Sequence, residues 1–119
     1  MPKVLLAEDD AIMVSLLKTL LKMEGYTVVA VDADADVPAA VRAESPDVLV
    51  LDVQLSRLDA LAILDQLRTA PDTQSVNVVM SSGMNLREEC LKRGASDFLL
   101  KPYMPDDLVT MLKKVINPA

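Results

Sequence analysis

Histidine and tryptophan are absent from this chain, and its aromatic side chains number three: Tyr26, Phe98 and Tyr103. Without histidine there is no Ser-His-Asp or Cys-His nucleophile system, no His-ligated zinc and no phosphohistidine. So few aromatics give no stacking platform for single-stranded nucleic acid. The single cysteine, Cys90, excludes an internal disulfide, and no signal peptide opens the chain, so a reducing cytoplasm is the expected compartment. Positive charge is also short. Lys and Arg number 12 against 18 Asp and Glu, and the resulting net charge of -6 has the wrong sign for gripping a nucleic-acid backbone directly. No apolar run approaches the ~20 residues of a membrane helix, so no membrane insertion is expected. Chemistry on this chain must therefore run on carboxylates, hydroxyls and lysines.

What is present is a globular composition, 51% hydrophobic against 25% charged, which excludes disorder and fits one domain over residues 1–119. Five short apolar runs lie at 4–7, 28–31, 48–51, 78–80 and 98–100. Each is continuous rather than alternating, the signature of strands buried on both faces of a parallel sheet. Between them come segments of helical period. Met13, Leu16, Leu17, Leu20 and Leu21 form the clearest stripe, stopped by Gly25. Val37, Ala40 and Val41 mark a second helix ending before Pro46; Leu58, Leu61, Leu64 and Leu67 a third; residues 85–93, closed by Gly94, a short fourth. Leu108, Val109, Leu112, Val115 and Ile116 mark the fifth, with Pro105 in its first turn. Residues 71–77 read as a polar loop. Strand and helix alternate five times, which predicts a doubly wound α/β domain with helices on both faces of a five-stranded parallel sheet.

In such folds the working crevice lies outside the carboxyl ends of the strands. The polar residues there are Glu8, Asp9 and Asp10 after the first strand, Asp52 after the third, Ser81 and Ser82 after the fourth, and Lys101 and Pro102 after the fifth. Carboxylates crowded at one sheet edge repel unless a cation sits among them, and oxygen-only donors select a hard ion such as Mg²⁺. A lysine and a hydroxyl on the same crevice suit a phosphoryl group. The set reads as metal-assisted phosphoryl chemistry on a carboxylate nucleophile. Strand alternation admits only one of the two serines.

Glu8-Asp9, Asp52, Ser82 and Lys101-Pro102, with thirty positions from Asp52 to Ser82, resemble the receiver domain of two-component response regulators from Lys3 to Ile116. The resemblance implies a flavodoxin-like sheet of order 2-1-3-4-5. It implies that Asp52 accepts a phosphoryl group from the phosphohistidine of a histidine kinase or phosphotransfer protein, and that Asp9, Asp52 and the Gln54 carbonyl bind Mg²⁺ while Glu8 acts through a bound water. It further implies that Ser82 and Lys101 hold phosphoryl oxygens, and that Phe98 turns inward as the switch that alters the helix 4–strand 5–helix 5 surface read by a downstream effector. Gln54 and Met84 stand where the family sets the hydrolysis rate; an apolar Met84 is poorly suited to orient water, so a long-lived phosphoform is expected.

Three features depart from the family pattern. Ser56 and Ala60 replace a usual proline and glycine. Only nineteen positions separate Ser82 from Lys101, about three short, which removes roughly one turn from the fourth helix. Met104 replaces a common capping Ser or Thr, at a cost of ~1 kcal/mol. Partner choice is therefore expected to be unusual. The alternatives are an unphosphorylated pseudo-receiver scaffold and, last, a small Mg²⁺ phosphatase. Dimerisation through helices four and five stays open, as does whether the chain stands alone or belongs to a larger protein.

Overall fold

The computed structural model describes residues 2–32, 35–53 and 59–116. Five strands, β1 (Lys3–Ala7), β2 (Thr27–Val31), β3 (Val48–Asp52), β4 (Asn77–Ser82) and β5 (Asp97–Leu100), alternate with five helices. These are α1 (Ala11–Met23), α2 (Val37–Glu44), α3 (Ala60–Thr69), α4 (Arg87–Lys92) and α5 (Pro105–Ile116). The sheet is wholly parallel, in the order β2-β1-β3-β4-β5. All five residues of β3 are buried, as a central strand covered on both faces requires.

Alternation along the strands splits the core in two. Leu5, Ala7, Leu49, Leu51, Val78, Met80 and Phe98 face α2, α3 and α4; Val4, Leu6, Val48, Val50 and Val79 face α1 and α5. Aspartates start three helices by accepting otherwise unpaired first-turn amides: Asp10 from Ile12 and Met13, Asp36 from Ala39 and Asp59 from Ala62. Gly25, at φ +93, ends α1 in a conformation that L side chains rarely adopt.

Four expectations need adjustment. The buried stripe of α3 is Ala60, Ile63, Leu64 and Leu67, with Leu61 only partly buried beside it, and Leu58 lies outside the described residues. A run of leucines three apart drifts around a 3.6-residue helix, so the neighbouring Ile63 takes the core position. The fourth helix is six residues, shorter than the nine read from the sequence, with no side-chain cap at Leu86. The polar loop is shorter as well: Asn77 opens β4, and Thr73 is buried with its hydroxyl donating to the Leu67 carbonyl at 2.7 Å. Finally, α5 recovers part of the cap that Met104 cannot supply, because Asp107 reaches back to accept the Met104 amide at 3.1 Å, half of a capping box. Ser56 lies outside the described residues; Ala60 is the first residue of α3.

Candidate functional site

The strand order places the carboxyl end of β3 between those of β1 and β4, with β5 beyond. Glu8 follows β1 directly, Asp52 is the last residue of β3 and Lys101 follows β5. The Lys101 amide donates to the Ser82 carbonyl at 2.8 Å, anchoring the lysine to the end of β4, and the Lys101–Pro102 peptide is cis. From there the Lys101 ammonium reaches two carboxylates, Glu8 Oε1 at 2.8 Å and Asp52 Oδ2 at 3.0 Å. Each acid is only 6% exposed, so the charges interact in a medium that screens them weakly.

The acidic trio after β1 divides its work. Asp10 caps α1. The second oxygen of Glu8 accepts the amides of Asp9 and Asp10 at 3.0 and 3.4 Å, which fixes its carboxylate toward Lys101. Asp9 is exposed at the mouth. Burial raises the Glu8 carboxyl above the ordinary range, its hydrogen bond with Asp52 pushes the same way, and Lys101 opposes both. For Lys101 burial acts downward, but hydrogen bonds to Glu8 and Asp52 outweigh it and hold the ammonium above a usual lysine. Tyr103, half-buried two residues on, is pushed up to about 12, chiefly by burial. Sequence reasoning missed Tyr103, which carries no motif of its own. It also missed the direct Glu8–Lys101 bond across 93 positions.

The two serines separate. Ser81 is the register partner of Asp52 and shares the sheet face of Asp52, Val50 and Val79. Ser82 pairs with Leu100, follows the alternation of Val78 and Met80, and its buried hydroxyl accepts the Met84 amide at 3.0 Å. Ser82 thus sits on the face that carries Phe98, which at 3% exposure is already turned into the core rather than outward awaiting a switch. Gln54 lies outside the described residues.

Among the described residues no three His, Cys, Asp or Glu side chains are gathered as a ready-made ligand group. The donor chemistry nevertheless fits a hard divalent ion. Two buried carboxylates share one ammonium, which leaves the cluster net negative before Asp9 is counted, and every donor is oxygen.

Comparison with known proteins shows the family to which this 2-1-3-4-5 sheet belongs. The sequence matches the response regulator receiver domain family over residues 4–113, and the chain belongs to that family. It is 34% identical over 117 residues to the transcriptional regulatory protein CpxR of Klebsiella pneumoniae, covering 98% of this chain and 50% of that protein. The chain spans about half the length of the curated relatives it matches. Among solved structures, the receiver domain of the Francisella response regulator 1452 superposes with a TM-score of 0.89 at 26% identity, covering 99% of this chain and 98% of that one. The receiver domain of the Pseudomonas aeruginosa sensor histidine kinase PA1611, solved with magnesium in its active site cleft, shares the fold with a TM-score of 0.84 at 24% identity, covering 97% of each chain. Among the described residues no helix is long and apolar enough to cross a membrane.

Proposed function

We propose that this chain is a phosphoacceptor module of two-component signalling, in which Asp52 takes a phosphoryl group from the phosphohistidine of a histidine kinase or phosphotransfer protein. The observation that carries this reading is the Lys101 ammonium held 3.0 Å from Asp52 Oδ2 and 2.8 Å from Glu8, at the carboxyl edge of the sheet. Phosphoryl transfer needs positioning and charge neutralisation more than covalent assistance. Asp52 is the nucleophile: its carboxylate oxygen forms the new bond to phosphorus as the bond to the donor breaks. Lys101 follows the charge from Asp52 onto the phosphoryl oxygens without leaving the crevice. Asp9, Asp52 and the Gln54 carbonyl would hold Mg²⁺, with Glu8 acting through a bound water. When bound, the ion would neutralise charge on the equatorial oxygens. Ser82 turns its hydroxyl to donate to the phosphoryl group, and Phe98, already buried on the same face, fills the space that this vacates and so alters the α4–β5–α5 surface. A downstream effector reads that surface. The pseudo-receiver scaffold has no support, since the acids and lysine are assembled.

Intact mass after incubation with a small acyl-phosphate donor tests the reading. The native chain gains one phosphoryl group with Mg²⁺ and none without it; Asp52→Asn gains none in either condition. A folded native chain that never gains mass sinks the proposal. The same assay separates the serines: Ser82→Ala slows the gain, whereas Ser81→Ala leaves it within about threefold of native, the kinetic equivalent of one lost neutral hydrogen bond or less. The reverse ranking would transfer the role to Ser81. Met84 is exposed beside the site and offers no hydrogen-bonding side chain to water. The phosphoform should therefore persist for minutes or longer, and Met84→Asn should shorten its lifetime several-fold; decay within seconds in the native chain contradicts this.

A further inference from the structure

The sheet has two edges, and they are defended unequally. β5 is four residues long, starts with a charge at Asp97, and its Phe98 carbonyl accepts from the Arg87 guanidinium of α4 at 3.1 Å. Short length, edge charge and side-chain cover are the usual means of keeping an edge strand from pairing with another chain. β2 is longer and uncharged. Its five residues, Thr-Val-Val-Ala-Val, contain no proline and favour extended backbone, and among the described residues no strand lies beyond them. Val29, Ala30 and Val31 pack on the two cores yet stay only partly buried, because the outer side of the strand is open.

Beside this edge a groove of about 620 Å³ runs between β2 and α1. α1 leads from the end of β1 back to the start of β2, so it runs antiparallel to the strand. Asp9 and Asp32 therefore stand where the groove reaches the carboxyl end of β2, and Lys18 and Lys22, further along α1, lie toward its start. Asp9, Lys22 and Asp32 are exposed, and Lys18 is half-buried. The groove is negative at one end and positive at the other, on a chain whose net charge of -6 otherwise keeps copies apart.

We propose that the β2 edge and the α1 groove form an interface between two copies of this chain, paired antiparallel about a two-fold axis. Such an interface is isologous, so the patch must complement itself. The antiparallel order meets that requirement, because it sets Asp32 at the acidic end of one groove toward Lys22 at the basic end of the other, twice over. A partner of uniform charge would satisfy only one end. The outward N–H and C=O groups of the two strands pair across the axis and join the two sheets into one. β5 lies at the far side of the sheet, so the α4–β5–α5 surface stays open in the pair. The inference is independent of the phosphoacceptor reading.

Sedimentation velocity of the chain from about 5 to about 500 µM tests this, since a reversible dimer follows mass action. We expect the sedimentation coefficient to rise with concentration. Lys22→Glu and Asp32→Lys should each weaken the dimer about tenfold or more, because two-fold symmetry makes each substitution act at two contacts. The first makes the chain more acidic and the second less, so simple net-charge repulsion would move association in opposite directions. Combining the two in one chain restores opposite charges across the axis and should return the dimer to within about threefold of native. Both positions are exposed, and circular dichroism confirms that each variant is folded. Leu100→Lys, at the exposed end of β5, should leave the dimer unchanged. A chain that stays monomeric throughout overturns the interface. So do single reversals that leave association alone or shift it in opposite directions, and a double variant that stays as weak as the singles. Loss of the dimer in Leu100→Lys overturns it as well, by moving the contact to the β5 side.

Discussion

Replacing Lys101 with methionine should lower the rate of phosphoryl gain at Asp52 by about 10²–10³-fold, the usual cost of one pre-positioned donor to developing charge. Its stem packs and its charge is lost, so the change isolates electrostatics. The stability effect has the same origin. Glu8 and Asp52 are each 6% exposed and share this ammonium. Without it the two buried carboxylates lose the cation between them, and breaking a buried ion pair by removing one partner costs on the order of 3 kcal/mol. The pH dependence follows in sign. Burial already raises Glu8 above its ordinary value, and the loss of an opposing cation raises it further. The folded state then binds a proton that the unfolded state has released, so stability falls as pH rises from the ordinary carboxylate range through the raised folded pKa. Lys101→Met should fall more steeply than native across that window. Denaturant unfolding at several pH values checks this; a pH profile parallel to native would mean that Lys101 does not neutralise the acids. Added Mg²⁺ should restore part of the lost stability by supplying the missing positive charge.

The second large effect is in the core. Leu64→Ala should destabilise the chain by about 3–4 kcal/mol, because the side chain is fully buried under the sheet and its removal leaves a cavity as well as losing transfer energy. In thermal unfolding that corresponds to a drop of roughly 10–20 °C for a domain of this size. Leu61→Ala, three residues earlier and only partly buried, should cost about 1 kcal/mol. Equal losses at the two positions would mean that Leu61 is as much a core residue as Leu64, as the stripe read from the sequence has it.

That pair shows where the sequence was sufficient and where it was not. The five continuous apolar runs located every strand because a strand buried on both faces needs no alternation, and the reading erred only at the ends. Helix stripes were harder. In α3 Leu64 and Leu67 of the leucine run do face the core, but the helical period leaves Leu61 only partly buried and gives its place to Ile63. The candidate site was legible as a set: Glu8, Asp52 and Lys101 do meet. Their contacts were not, since nothing in Glu8-Asp9-Asp10 tells which acid caps α1, which faces the lysine and which stays at the mouth. Those assignments depend on main-chain amides at 3.0 and 3.4 Å from one oxygen of Glu8, and sequence spacing does not resolve such distances. The edge of β5 was equally hidden, because Arg87 and Asp97 look like two ordinary surface charges until β5 is placed beside the start of α4.

The Lys101–Glu8 bond joins residues 93 positions apart, and the Lys101–Asp52 bond joins residues 49 apart. Contacts of such span are late events in folding, since a long loop must close before they contribute. A chain that has formed only β1 to β3 already carries both acids, yet it lacks the cation that makes them a receptive pair. On the proposed function, competence to accept a phosphoryl group would therefore arrive only once β5 is in place. A half-made or unravelling molecule would then be silent in signalling for the same reason that it is incompletely folded.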